Sequence, residues 1–164
     1  MRRGWAAMSD GAVGGAVGTA AMSGVMLAAR RAGAMTRQPP EAITAAALDA
    51  VGEHRQNATT RDALAVVLHF GFGVGVGALF GVLQGQLPAH VRRHPALSSM
   101  AYATLVWAVS YQGWVPALGI LPPATRDEPG RPLTMLLAHW VYGATLGVVI
   151  CERDSHGDRH HREV

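Results

Sequence analysis

The chain of 164 residues has no lysine, a single cysteine (Cys151), and charge on only 15% of its positions. One cysteine excludes an internal disulfide framework and any cysteine-rich zinc or iron–sulfur site. A net charge of +3 would suit nucleic acid only if it were gathered on one face. The arginines are spread along the whole chain instead, so no nucleic-acid partner is expected. A phosphate loop, a nucleophile elbow, an HExxH pair and paired carboxylates are also missing. That leaves no catalytic residue to name and points away from an enzyme.

Charge is scarcest in four stretches. Ala12–Ala29, Ala63–Gln84, Ser98–Ala117 and Leu133–Cys151 hold 18, 22, 20 and 19 residues without one Asp, Glu or Arg. Soluble domains carry about 25% charged residues, so such gaps need a cause. About 20 apolar residues of helix cross a hydrocarbon core of about 30 Å. A charge at the bilayer centre costs about 2.5–3.5 kcal/mol on insertion scales, which accounts for the exclusion. The expected fold class is an all-α membrane protein with four transmembrane helices in one domain, residues 1–151. The lipid bilayer is its expected partner and the inner (plasma) membrane its location. The tail, residues 152–164, is polar and His-rich without apolar periodicity, and is expected to be disordered.

Two rival readings fail on particular residues. A cleaved signal peptide over the first gap is spoiled by Asp10, by the many glycines and by Arg30-Arg31 beyond the cut. A soluble bundle would keep a polar face on each helix, and Ala63–Gln84 shows almost none. The run Gly71–Gly77 (GFGVGVG) alternates like a strand. An isolated strand leaves its backbone unsatisfied in lipid, however, so helix is expected there too.

Helices in a bilayer associate by close packing, which small residues at every fourth position allow. The first span carries Gly11, Gly15, Thr19 and Ser23 on one stripe. The second carries the stripe Gly73, Gly77, Gly81 and Gly85, and the fourth carries Gly143 and Gly147. These are expected to pack the bundle's own helices, with a homo-oligomer as the other use. In the third span, Trp107, Tyr111 and Trp114 share one face. Ser98–Val115 reads as helix, and Pro116–Pro123 as a bent segment with interfacial aromatic anchors. Between the first two spans, Pro39-Pro40-Glu41 opens a short helix to about Val51 that suits the membrane surface. Arg92-Arg93-His94 reads as a basic cluster touching anionic lipid.

Arginines divide seven to seven between the two sides of a four-span protein, so the positive-inside rule is silent. Histidines favour the side of the termini, which is read as cytoplasmic.

Spans two and four share a pattern at an offset of 70 positions. Arg61, His69, Phe70, Gly73 and Gly77 match Arg131, His139, Trp140, Gly143 and Gly147. Two tandem two-helix repeats are one account of this. It would set His69 and His139 at equivalent depth, facing each other. Ionisable groups at membrane depth default to a functional hypothesis, and the pair is the candidate intramembrane site. No cofactor is expected. The alternative is a b-type haem with both histidines as axial ligands, or a proton relay. Zinc wants further ligands that the spans do not supply, so no metal site is expected. In the plainest reading each His bonds a backbone carbonyl or a hydroxyl such as Thr19, Thr104 or Ser110. The tail histidines His156, His160 and His161 read as solvated.

The run V-P-A-L-G-I-L-P-P from Val115, then Asp127-Glu128 and A-H-W-V-Y-G from Ala138, resembles the small four-span bacterial inner-membrane proteins grouped with YagU. His69 near the start of the second span is similar as well. The resemblance covers the second half of the chain best. It implies an integral membrane protein of no established activity, and it carries over no catalytic residue. The function expected of the chain itself is a non-enzymatic structural, stress-related or small-solute role centred on His69 and His139.

Overall fold

The computed structural model describes residues 2–160 apart from residue 54. Helices follow in the order α1 (Arg2–Arg31), α2 (Pro39–Ala50), α3 (Ala58–Gln84), α4 (Ala89–Arg92) and α5 (Pro95–Trp107). A π-helical segment (Ala108–Trp114), α6 (Val115–Ala117) and α7 (Arg131–His160) complete the chain. No strand occurs among the described residues, and Gly71–Gly77 lies within α3.

Local chemistry sets the boundaries. Asn57 caps α3, its Oδ1 accepting from the Thr60 amide at 2.8 Å; α3 therefore starts five residues before the charge-free run. Pro39 and Pro40 occupy the first turn of α2, where a missing N–H costs nothing. Gly33, at φ 76°, ends α1, and Gly119, at φ 69°, ends α6. Both adopt the left-handed conformation that a side chain disfavours.

Three helices are long and apolar enough to cross a membrane: Gly4–Arg31, Ala58–Gln84 and Arg131–Arg153. The remaining expected span, the third, Ser98–Ala117, is not one uninterrupted α-helix. It is divided among α5, the π-helical segment and α6, which follow one another without a gap. Pro116 supplies the physical reason. Its ring displaces the carbonyl one turn back and it donates no hydrogen bond, and a widened π turn absorbs that misfit. The helical backbone consequently runs past Pro116 to Ala117, whereas the sequence suggested a bend at the proline. The tail expected to lack structure continues α7 to His160; residues 161–164 lie outside the described residues.

Helix α1 packs against both α3 and α7, and α5 packs against α7. Glycines make these approaches close. A Cβ on Gly77 would meet the backbone of Gly11 and Gly15, and one on Gly81 would meet Ala7 and Gly11. Gly73 faces the Thr19 side chain. As numbers rise along α3 they fall along α1, so the two run antiparallel. Gly14 and Gly18 of α1 lie against Leu146 and Tyr142 of α7, while Gly143 and Gly147 lie against α5 at Ser99, Met100, Ala103 and Ala96. Ser99 donates to the Gly143 carbonyl at 2.6 Å. Gly85, the last of the expected stripe, makes no such contact with another helix.

The interior holds Met22, Met26, Phe80, Met135, Leu146 and Ile150. The outside is apolar as well: Val17, Val66, Val67, Leu79, Leu105, Val109 and Val148 are all exposed. A contiguous apolar exterior on this scale suits lipid rather than water.

Candidate functional site: a cavity among the helices

A cavity of about 360 Å³ lies among the long helices. Thr19 and Met22 reach it from α1, and Ala65, His69, Phe72 and Val76 from α3. Ser110, Tyr111 and Trp114 of the π-helical segment and Met135, His139 and Tyr142 of α7 form further wall. Pro39, Pro40, Ile43 and Thr44 of α2 complete it. The α2 helix therefore packs over the cavity, with Pro39, Ala42 and Thr44 buried.

Both singled-out histidines line this one space. His139 lies eight residues into α7, about 12 Å along the axis, and is 8% exposed. Its Nδ1 is 2.7 Å from the Met135 carbonyl one turn back. With a proton on Nδ1, that bond leaves Nε2 as an acceptor. Of the two expected kinds of partner, His139 takes a backbone carbonyl, and the hydroxyls bond elsewhere. Thr19 donates to the Gly15 carbonyl at 2.7 Å, and Ser110 to the Val106 carbonyl at 2.6 Å. Thr104 accepts from the Trp140 indole at 3.0 Å. His69 stands edge-on to Phe70, and its Nε2 is buried with no hydrogen-bond partner among the described residues.

Of the aromatic side chains of the third apolar run, Tyr111 turns inward. Tyr111 is buried and stacks on Trp107 with ring centroids 6.1 Å apart, while Trp114 is partly exposed at the cavity edge. Tyr142 donates to the Gly73 carbonyl at 2.7 Å. Tyr102 donates to the Val76 carbonyl at 2.9 Å, so α3 is tied to both α5 and α7.

One polar cluster was not foreseen. Asp127, whose side chain is fully buried, accepts from the Tyr111 hydroxyl and pairs with Arg131. Arg131 also reaches Glu128 at 2.7 Å. Glu128 in turn accepts from the Thr36 amide at 2.9 Å and the Thr36 hydroxyl at 2.5 Å. The Thr36 hydroxyl and amide hold the Glu128 carboxyl below the ordinary glutamate range, and Arg131 adds to the effect. These bonds join the loop after α1 to the loop before α7 and anchor the cavity residue Tyr111. The signal in the sequence was Asp127-Glu128 four and three positions before Arg131, a spacing that suits ion pairing at a helix start.

Among the described residues no three His, Cys, Asp or Glu side chains gather as a metal site. Two imidazoles at one cavity can hydrogen-bond a ligand or supply two axial nitrogens. The tail histidines lie at the far end of α7 or outside the described residues.

A profile of DUF6789, a family of unknown function, matches residues 5–161. No curated protein and no solved structure matches the chain. None of these matches links it to the YagU group.

Proposed function

The chain belongs to the DUF6789 family, and we propose that it is a four-span, non-enzymatic inner-membrane protein that holds a small apolar ligand. In this reading α5, the π-helical segment and α6 act together as the third span, with Tyr111 and Trp114 turned to the cavity. The two halves are repeats, since Gly73 and Gly77 pack on α1 as Gly143 and Gly147 pack on α5. The observation that carries the ligand reading is the cavity of about 360 Å³, with apolar walls and two histidines. Its size and composition suit a small-molecule site. A second copy docking through the glycine stripes is not part of this reading, because those glycines are covered within the chain.

The test uses the protein in lipid nanodiscs with a photoreactive long-chain hydrocarbon. Labels are expected on Val76 and Tyr142 inside the cavity as well as on outer residues such as Val67. Ala65→Phe, which fills the cavity from a buried position, should remove the interior labels only. Labels confined to the outer surface would sink the reading.

The second reading, a b-type haem between His69 and His139, is favoured by the Nδ1 contact of His139 to a backbone carbonyl. Such a bond fixes the tautomer that presents Nε2 to iron. A Soret band near about 410–430 nm in the purified protein, lost in either His→Ala variant, would replace the first reading with this one.

A further inference from the structure

We propose that the cavity ligand is a neutral amphiphile of the quinone class, a flat ring bearing hydrogen-bonding oxygens with an apolar tail, which enters sideways from the bilayer. The inference rests on the cavity being a ligand site and adds what occupies it.

Three observations select this chemistry. First, two polar atoms on the cavity wall have no partner among the described residues: Thr44 Oγ1 and His69 Nε2. Leaving a buried polar atom unsatisfied is unfavourable, so two of them on one apolar wall mark where a ligand's polar atoms belong. They come from α2 and α3, so a ligand that meets both is held across two elements. Thr44 donates or accepts, and the imidazole does either according to tautomer, which matches a carbonyl or hydroxyl oxygen.

Second, no Arg, Asp or Glu lines the cavity among the described residues. A charged head would enter low dielectric without a counter-ion, at a prohibitive desolvation cost. The head is therefore neutral. Third, Phe72, Tyr111, Trp114 and Tyr142 present aromatic faces and edges from three separate elements. Rings favour offset or edge-on packing with another ring, and that selects a planar head over a branched aliphatic one.

The route follows from exposure at the rim. Leu68 and Phe72, both 49% exposed, line the cavity on the face of α3 whose neighbours Val66 and Val67 are also exposed. Trp114, also on the cavity wall, is 36% exposed. The mouth thus opens among residues that face hydrocarbon, and an apolar tail left outside stays in lipid.

In nanodiscs loaded with the photoreactive hydrocarbon, a decyl-substituted benzoquinone competes with decylbenzene and with decanoate. The quinone is expected to suppress interior labelling at the lowest concentration. Thr44→Val keeps the shape of the side chain and removes an unsatisfied hydroxyl, so the fold should persist. It should weaken quinone competition about tenfold, the scale of one lost hydrogen bond, and Thr44→Ser should restore it. Decylbenzene or decanoate competing as well as the quinone would overturn the inference while leaving a ligand cavity in place. So would a quinone that fails to compete, or a Thr44→Val protein that binds unchanged. Absent interior labelling is the separate failure of the cavity itself.

Discussion

The backbone of Gly15 on α1 lies against Gly77 on α3 so closely that neither position has room for a Cβ. Gly77→Ala would drive a methyl group into the Gly11 and Gly15 backbone, and backbone cannot swing aside as a side-chain tip can. The helices must separate, losing dispersion contacts along the whole seam. Gly75, two residues away, faces open space. Gly75→Ala should be neutral or stabilising by up to about 1 kcal/mol, the helix-propensity difference between the residues. Thermal unfolding in detergent should show a large fall in midpoint for the first variant and none for the second. Equal effects would mean that the α1–α3 seam is not the one described.

That contrast shows what was legible in the sequence. The stripe of Gly73, Gly77 and Gly81 could be read because small residues at helical spacing have few other uses in an apolar run. The charge gaps located three spans for the same reason. The third gap gave no sign that its α-helix is interrupted, because charge exclusion reports on the environment and not on hydrogen-bond register; Pro116 changes the register without adding charge. The histidines were visible as ionisable groups at membrane depth. Their shared cavity was not, since its wall needs Thr44, which carries no pattern, and Tyr111, whose place on an aromatic face says nothing of which helix it meets. The Tyr111–Asp127–Arg131 cluster was hidden in the same way, because a contact spanning two loops leaves only Asp127, Glu128 and Arg131 as a local trace.

Asp127 is expected to carry that cluster. Its side chain is fully buried between Tyr111 and Arg131, and Arg131 is 4% exposed. Asp127→Ala leaves the buried Arg131 with only the partly exposed Glu128 and removes the acceptor of the Tyr111 hydroxyl, a loss of up to about 3–5 kcal/mol by comparison with broken buried pairs. Glu128 is 35% exposed, so water can replace it, and Glu128→Ala should cost far less. Chemical unfolding of both variants checks the order, and a Glu128 variant that is the weaker of the two would reverse the assignment.

Acid should weaken the same clasp in a defined window. Thr36 holds the folded Glu128 carboxyl below its ordinary value of 4.5. A lowered folded value means the ionised form is favoured by folding, so its contribution is complete above the unfolded value. It is then lost as pH falls through the folded one. Stability should therefore be flat in this respect above about pH 5 and decline below it. Thr36→Val removes the hydroxyl and should flatten that decline. A variant with an unchanged acid slope would place the pH dependence elsewhere.

Orientation in the membrane can be read from the chain's own cysteine. Asp10 near the start of α1 pairs with Arg153 near the end of α7, so both chain ends lie at one end of the bundle. Cys151 is exposed, two residues before Arg153. A membrane-impermeant maleimide reports on that end without any substitution. With the termini cytoplasmic, intact cells should leave Cys151 unlabelled and lysed cells should label it. In a Cys151→Ser background, Glu53→Cys places a thiol on an exposed residue between α2 and α3, at the opposite end. That thiol should be labelled in intact cells. Arginine counts tie at seven on each side and give the rule no purchase, so the reversed labelling pattern would put the termini outside and move the Asp127 clasp to the cytoplasmic face.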